Sequence, residues 1–227
     1  MSFEALPERL AQVRAEIERL APHPVTIVAV TKGFGTDAIR AALATGLADI
    51  GENRVQEALR KQDALQQSGI RWHLIGHLQR NKAKLVPGRF ELVHSLDSLE
   101  LAQELDGRAT EPVRVLLQVN VAGESQKSGC TPDEAPSLAR QIAALGKLRL
   151  EGLMTLAPFT DDVEVQRRAF RGLRLLRDTI QEEDGLWLPT LSMGMSGDYA
   201  TAVVEGATMI RLGTALFGPR ERTETSA

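Results

Sequence analysis

Apolar positions along this chain recur with two periods, and the alternation between them predicts the architecture. Leu6, Leu10, Val13, Ile17 and Leu20 step by four and three with charged residues between, which predicts an amphipathic helix over residues 3–20, stopped by Pro22 and Pro24. A β-branched run at 25–31 then ends in Lys32, Gly33, Phe34 and Gly35, and reads as a buried strand opening into a flexible loop. Thr36 is placed to cap a helix over 37–43 that Thr45 and Gly46 end.

Further strands are predicted at 48–53, 71–76, 90–94, 113–120, 148–155, 189–192 and 208–211. They alternate with helices predicted at 55–66, 79–85, 98–105, 132–145, 163–183 and 198–205, and a last turn begins at 215–217. Asp97 reads as the cap of the helix at 98, and Pro132 as the first turn of the helix it opens. Eight helix-linked strands imply a parallel sheet, and eight such units close. The predicted fold is an α/β, single-domain (β/α)8 TIM barrel over residues 1–227 with one extra N-terminal helix. An open doubly wound sheet competes with it, but Gly33-Phe34-Gly35 lacks the third glycine of a dinucleotide turn. No Pro-, Gly- or Ser-rich linker divides the chain.

Composition narrows the partners. With 27 Lys plus Arg against 30 Asp plus Glu, the net charge of -3 exerts no pull toward nucleic acid or an anionic membrane. At 4% aromatic residues there is no stacking platform for single strands. No apolar run approaches a membrane span, the N-terminus lacks a signal core, and the single cysteine, Cys130, allows no intramolecular disulfide; a cytoplasmic protein is expected.

In such a barrel the site lies at the carboxyl ends of the strands, so the residues that follow each strand are the candidates. Lys32 follows the first. A strand-end lysine is commonly solvated, but a desolvated amine is a nucleophile toward a carbonyl. The turns Ser192 to Gly197 and Gly213-Thr214 follow the last two strands, where barrel phosphate sites sit, and their backbone N–H groups suit an anion. The plain alternative makes Ser196 and Thr214 simple helix caps. Closing the barrel brings Lys32 beside both turns, so a phosphorylated aldehyde could be held at both ends. Pyridoxal 5'-phosphate fits, and so does the sugar phosphate of a Schiff-base aldolase.

Five segments carry a resemblance. They are Ala29-Val30-Thr31-Lys32, Gly51 to Glu57, Trp72 to Lys82, Leu191 to Asp198 and Ile210 to Gly218. Together they resemble the pyridoxal phosphate homeostasis protein family, the YggS-like proteins, over nearly the whole chain. The resemblance implies a barrel of the alanine racemase N-terminal type with pyridoxal 5'-phosphate as a Schiff base on Lys32. It implies phosphate contacts from Ser196, Gly213 and Thr214, with Gly194 and Met195 shaping that loop. Arg211 would face the pyridine nitrogen, and Asn53 and His77 would line the mouth. A cation at the ring nitrogen weakens the ring as an electron sink. The racemases also use an opposing tyrosine from a second domain, which this chain, ending at Ala227, lacks; its one tyrosine, Tyr199, lies past the phosphate loop. The expected function is therefore a cofactor reservoir and carrier to apo-enzymes, with a racemase or a Schiff-base aldolase as alternatives. A monomer is expected.

The remaining features read plainly. His73 and His77 lie on a strand and its following turn, so no metal pair is expected. His23 reads as an exposed linker residue, His94 as a strand-end hydrogen bonder, Cys130 as an idle thiol and Lys127 as a solvated loop lysine near the site. Arg80, Lys82 and Lys84 read as a solvated helix face, and Trp72 and Trp187 as core or barrel-rim packing.

Overall fold

All eight predicted strands form, and the pairing between the first and the last decides the architecture. In the computed structural model, which describes residues 3–66, 69–124 and 126–219, β1 (Thr26–Val30) pairs in parallel with β8 (Met209–Leu212), Val28 beside Arg211 and Ala29 beside Leu212. Between them run β2 (Asp49–Glu52), β3 (Arg71–Leu74), β4 (Leu92–Leu96), β5 (Val113–Gln118), β6 (Leu148–Met154) and β7 (Thr190–Ser192), each paired with the next in a closed barrel.

The helices α1 (Leu6–Leu20), α2 (Thr36–Ala44), α3 (Val55–Leu65), α4 (Leu99–Arg108), α5 (Ala135–Ala143), α6 (Val163–Asp184), α7 (Tyr199–Val204) and α8 (Thr214–Phe217) surround it. Outward-facing Ile27, Ile50, Leu74, Val93, Leu117 and Leu191 meet Ile39, Leu105, Ile142 and Phe170 of the helices in the main core. The alternate positions Leu92, Leu116 and Met154 form a second, small apolar cluster. Period-two alternation thus divides each strand between a helix-covered outer core and the bore.

The extra helix α1 buries Leu6, Leu10, Val13 and Ile17 and packs on α7 and α8. Just before it, Phe3 meets Phe34 of the loop after β1 and Phe217 of α8, with ring centroids 6.0 and 5.8 Å away. The start of the chain therefore clasps the seam where the barrel closes.

Local corrections follow from polar chemistry. β4 lies two residues later than predicted, because His94 and Ser95 are buried inside the strand rather than ending it. Thr36 is the first residue of α2, not its cap; extended Gly35 takes that position. Ser98, not Asp97, caps α4, accepting the Leu101 N–H at 3.4 Å. Pro132 sits in a turn ahead of α5, in which the Thr131 and Glu134 side chains each accept the other's backbone N–H. The 79–85 helix is a 3-10 helix, Arg80–Leu85. Trp72 is buried as expected, but Trp187 is 78% exposed and packs in no core. His23 is half-buried, its Nε2 3.1 Å from the Ala207 carbonyl, rather than an exposed linker residue.

Candidate functional site

A cavity of about 580 Å3 opens at the carboxyl ends of the strands. Lys32, Asn53, His77, Met195, Ser196, Arg211, Gly213 and Thr214 all line it. Residues more than 180 positions apart in sequence share one wall because β1 and β8 are hydrogen-bonded neighbours.

The two small-residue loops are tied into one surface. Ser196 Oγ accepts the N–H groups of Gly213 at 3.2 Å and Ala215 at 3.0 Å, which leaves its hydroxyl hydrogen to offer to an anion. Neither Ser196 nor Thr214 caps its own helix: α7 begins after Asp198 and α8 after Gly213, both without a side-chain cap. Gly194 is required where it stands, with φ at +93° and Ala202 Cβ only 2.6 Å from where a Cβ would project. Asp198, buried behind this loop, accepts the Met195 N–H at 2.5 Å. Burial pushes its carboxyl above the usual range, against the pull of that hydrogen bond and of Arg211.

Arg211 lies on the cavity floor, 3% exposed. Its Nη1 donates to Ser192 Oγ at 2.6 Å and its Nη2 to the Thr155 carbonyl at 2.9 Å. Burial lowers its pKa to about 10, partly opposed by Asp198, so the guanidinium is still a cation at neutral pH.

Asn53 owes its position to a close approach: a Cβ on Gly76 would stand 2.3 Å from the Asn53 carbonyl oxygen. His77 is at the rim, its Nδ1 3.4 Å from Asp97. Lys127, expected in solvent, is instead a half-buried strut, donating to Glu124 Oε1 at 2.8 Å and the Ala157 carbonyl at 2.7 Å. Asn120 braces the same loop through the Glu124 carbonyl at 2.8 Å.

Sequence reasoning missed three parts of the surroundings. Exposed Phe159 stands on the cavity rim. Behind the Lys32 loop, buried Lys61 donates to Glu52 Oε1, Glu57 Oε1 and the Thr31 carbonyl at 2.6, 2.8 and 2.8 Å, and Glu57 in turn accepts the Gly33 N–H at 2.9 Å. His94, read as a strand end, is wholly buried between His73 and Ser192. A polar residue at bore parity inside an otherwise apolar strand was the available signal.

Other candidates fall outside the cavity. Tyr199 OH donates to Glu16 on α1, and burial with that carboxylate raises the phenol to about 12, so it serves the α1–α7 contact. Burial pushes the Cys130 thiol to about 12, leaving it unreactive. Arg80 and Lys84 are exposed, as expected, whereas Lys82 is half-buried.

The site's donor set is an amine, a hydroxyl-tied pair of glycine-rich loops and a buried cation around one volume. Residues 4–221 match the alanine racemase N-terminal domain model. A pyridoxal phosphate homeostasis protein of Pseudomonas aeruginosa is 44% identical over 96% of this chain and 97% of its own. The chain belongs to the pyridoxal phosphate homeostasis protein family. The Escherichia coli K12 member is 40% identical, over 95% of this chain and 97% of its own. Among solved structures, PipY of Synechococcus elongatus PCC7942 with pyridoxal phosphate bound superposes with a TM-score of 0.85 at 38% identity, covering 94% of this chain and 100% of that one. A Clostridium difficile alanine racemase, with a TM-score of 0.76 at 17% identity over 95% of this chain and 61% of that one, shares the fold. No helix among the described residues is long and apolar enough to cross a membrane.

Proposed function

We propose that this family member binds pyridoxal 5'-phosphate in the barrel-mouth cavity and acts in its homeostasis, as a reservoir that passes the cofactor to apo-enzymes. The observation that carries the reading is the convergence of Lys32, the Ser196–Gly213 junction and Arg211 on one cavity, in a chain whose relatives carry that name. Lys32 supplies the amine that condenses with the cofactor's aldehyde, with loss of one water. Ser196, Gly213 and Thr214 receive the phosphate, Met195 bounds that loop, Arg211 faces the ring nitrogen, and Asn53 and His77 border the opening.

When bound, the cofactor supplies an aldehyde and a conjugated ring able to take up electrons. The residues around it favour holding over turnover. Arg211 remains a cation and disfavours a second positive charge at the ring nitrogen, which weakens the ring as a sink. The phenol of Tyr199 is engaged by Glu16 rather than aimed at the cavity, so this residue is not placed to deprotonate a substrate from a second face. A racemase is the second reading, favoured by the shared fold. A monomer in the cytoplasm completes the proposal.

The absorption spectrum tests it. Purified protein given the cofactor is expected to show a visible band that Lys32→Ala abolishes. A wild-type protein that takes up no cofactor would sink the reading, and substantial Lys32-dependent inversion of an amino acid would make the racemase primary.

A further inference from the structure

One hydrogen-bonded chain runs from the cavity floor to the other end of the barrel. Arg211 Nη1 donates to Ser192 Oγ at 2.6 Å. Ser192 Oγ lies 2.8 Å from His94 Nδ1, His94 Nε2 lies 2.9 Å from His73 Nδ1, and His73 Nε2 lies 3.0 Å from Asp49 Oδ1. Arg71 clamps the same carboxylate with bonds of 2.7 and 2.6 Å. His94 is on β4 and Ser192 on β7; with β5 and β6 between them, a direct contact of their side chains must cross the bore. Ser192, His94, His73 and Arg211 are at most 3% exposed, so the links among these four are closed to water.

Donor and acceptor rules give the chain a direction. A guanidinium can only donate, so Ser192 Oγ accepts from Arg211, and its single hydrogen goes to His94 Nδ1. If that hydrogen did not, it would be left without a partner in a dry site. His94 is neutral, since burial and the neighbouring His73 and Arg211 hold its pKa well below the usual value. With Nδ1 accepting, its one N–H is on Nε2 and donates to His73 Nδ1. His73 then donates from Nε2 to Asp49, the anion at the end. Every proton in the chain points the same way.

We infer that Asp49, at the end of the barrel remote from the cavity, is a positioning residue for Arg211, acting through His73, His94 and Ser192 as a polarised relay. The carboxylate at one end and the guanidinium at the other fix the tautomer of each imidazole between them. That ordering holds Ser192 as an acceptor toward Arg211, and with it the orientation of the guanidinium on the cavity floor. The significance for the cofactor rests on the pyridoxal phosphate reading; the proton ordering does not.

Histidine nitrogen NMR on full-length, cofactor-free protein tests the relay. Both His73 and His94 are expected to carry a proton on Nε2 and to accept at Nδ1. Asp49→Asn is expected to move the ring nitrogens of His94, which Asp49 does not touch, and Asp49→Glu to move them less by keeping the anion. In cofactor titrations, Ser192→Ala is expected to weaken binding about threefold to tenfold and to shift the pH midpoint of the visible band. An Nδ1 proton on either wild-type histidine overturns the relay, as does a His94 spectrum unchanged by Asp49→Asn. If Asp49→Asn does not fold, the wild-type tautomers decide alone. A wild-type protein that binds no cofactor but shows the predicted tautomers would sink the cofactor reading and leave the relay standing.

Discussion

Two buried polar networks flank the cavity and differ in construction. Outside the barrel wall, Lys61 of α3 gathers Glu52, Glu57 and the Thr31 carbonyl about one ammonium. Inside the bore, a guanidinium and a carboxylate end the line from Arg211 to Asp49, with a hydroxyl and two imidazoles between. The outer network is a hub. It grips backbone on both sides of Lys32, through the Thr31 carbonyl and, by way of Glu57, the Gly33 N–H, and so sets the loop that carries the amine. The inner network is a line, and a line conveys orientation from one end to the other. Removing the hub's centre strands its buried charge, whereas cutting the line disturbs a direction.

The largest expected effect comes from the hub. Lys61→Ala leaves Glu52 in a dry site without its cation, at about 3–5 kcal/mol, read as a fall in melting temperature of roughly 10 °C. Burial already raises the Glu52 carboxyl, beyond what Lys61 and Thr31 offset. Its folded pKa therefore lies above its unfolded one, and its contribution is full below the ordinary carboxylate pKa and lost as pH rises through the folded value. The deficit of Lys61→Ala should shrink on acidification; a pH-independent deficit would contradict a stranded carboxylate.

Asp49 comes next, with the opposite sign. Burial pushes its carboxyl up, but hydrogen bonds from His73 and Arg71 prevail and bring it from 3.8 to about 2. It contributes stability above the unfolded pKa that is lost as pH falls through about 2, about 2 kcal/mol in all. Denaturant melts of Asp49→Asn should lie below wild type at neutral pH and converge with it in acid. Ser192→Ala leaves an Arg211 N–H and His94 Nδ1 unpaired and should cost about 1–3 kcal/mol. At the small end, Glu57→Gln keeps an oxygen for the Gly33 N–H and loses only a partly solvated ion pair, so less than about 1 kcal/mol is expected. A larger loss there would mean the hub is indivisible.

The hydrophobic pattern made the strands and their order legible because a parallel barrel covers both faces of its sheet, and each strand reads as an apolar run between polar ends. It misplaced β4 for the same reason. His94 and Ser95 looked like a polar end, but the bore seats polar side chains such as His94 below the cavity, beside the small apolar cluster of Leu92, Leu116 and Met154. The site residues were legible because strand-end position is a property of the chain. The relay was not, since Asp49, His73, His94 and Ser192 are scattered through the sequence and become partners only when the bore sets their heights. Caps failed at Thr36 and Asp97, where a neighbour one residue away took the position. Trp187 failed because bulk alone does not place a residue inside.

The seam between β1 and β8 also fixes when the cavity can exist. Lys32 is made long before Arg211, Gly213 and Thr214. At about 5–20 residues per second the amine waits roughly ten to forty seconds for the loops that complete its surroundings, and Phe3 has no Phe217 to pack against until then. Before then no fragment carries both walls of the pocket. The capacity to hold a ligand arrives in one step once α8 is made, so a chain truncated before α8 should be empty as well as unclosed.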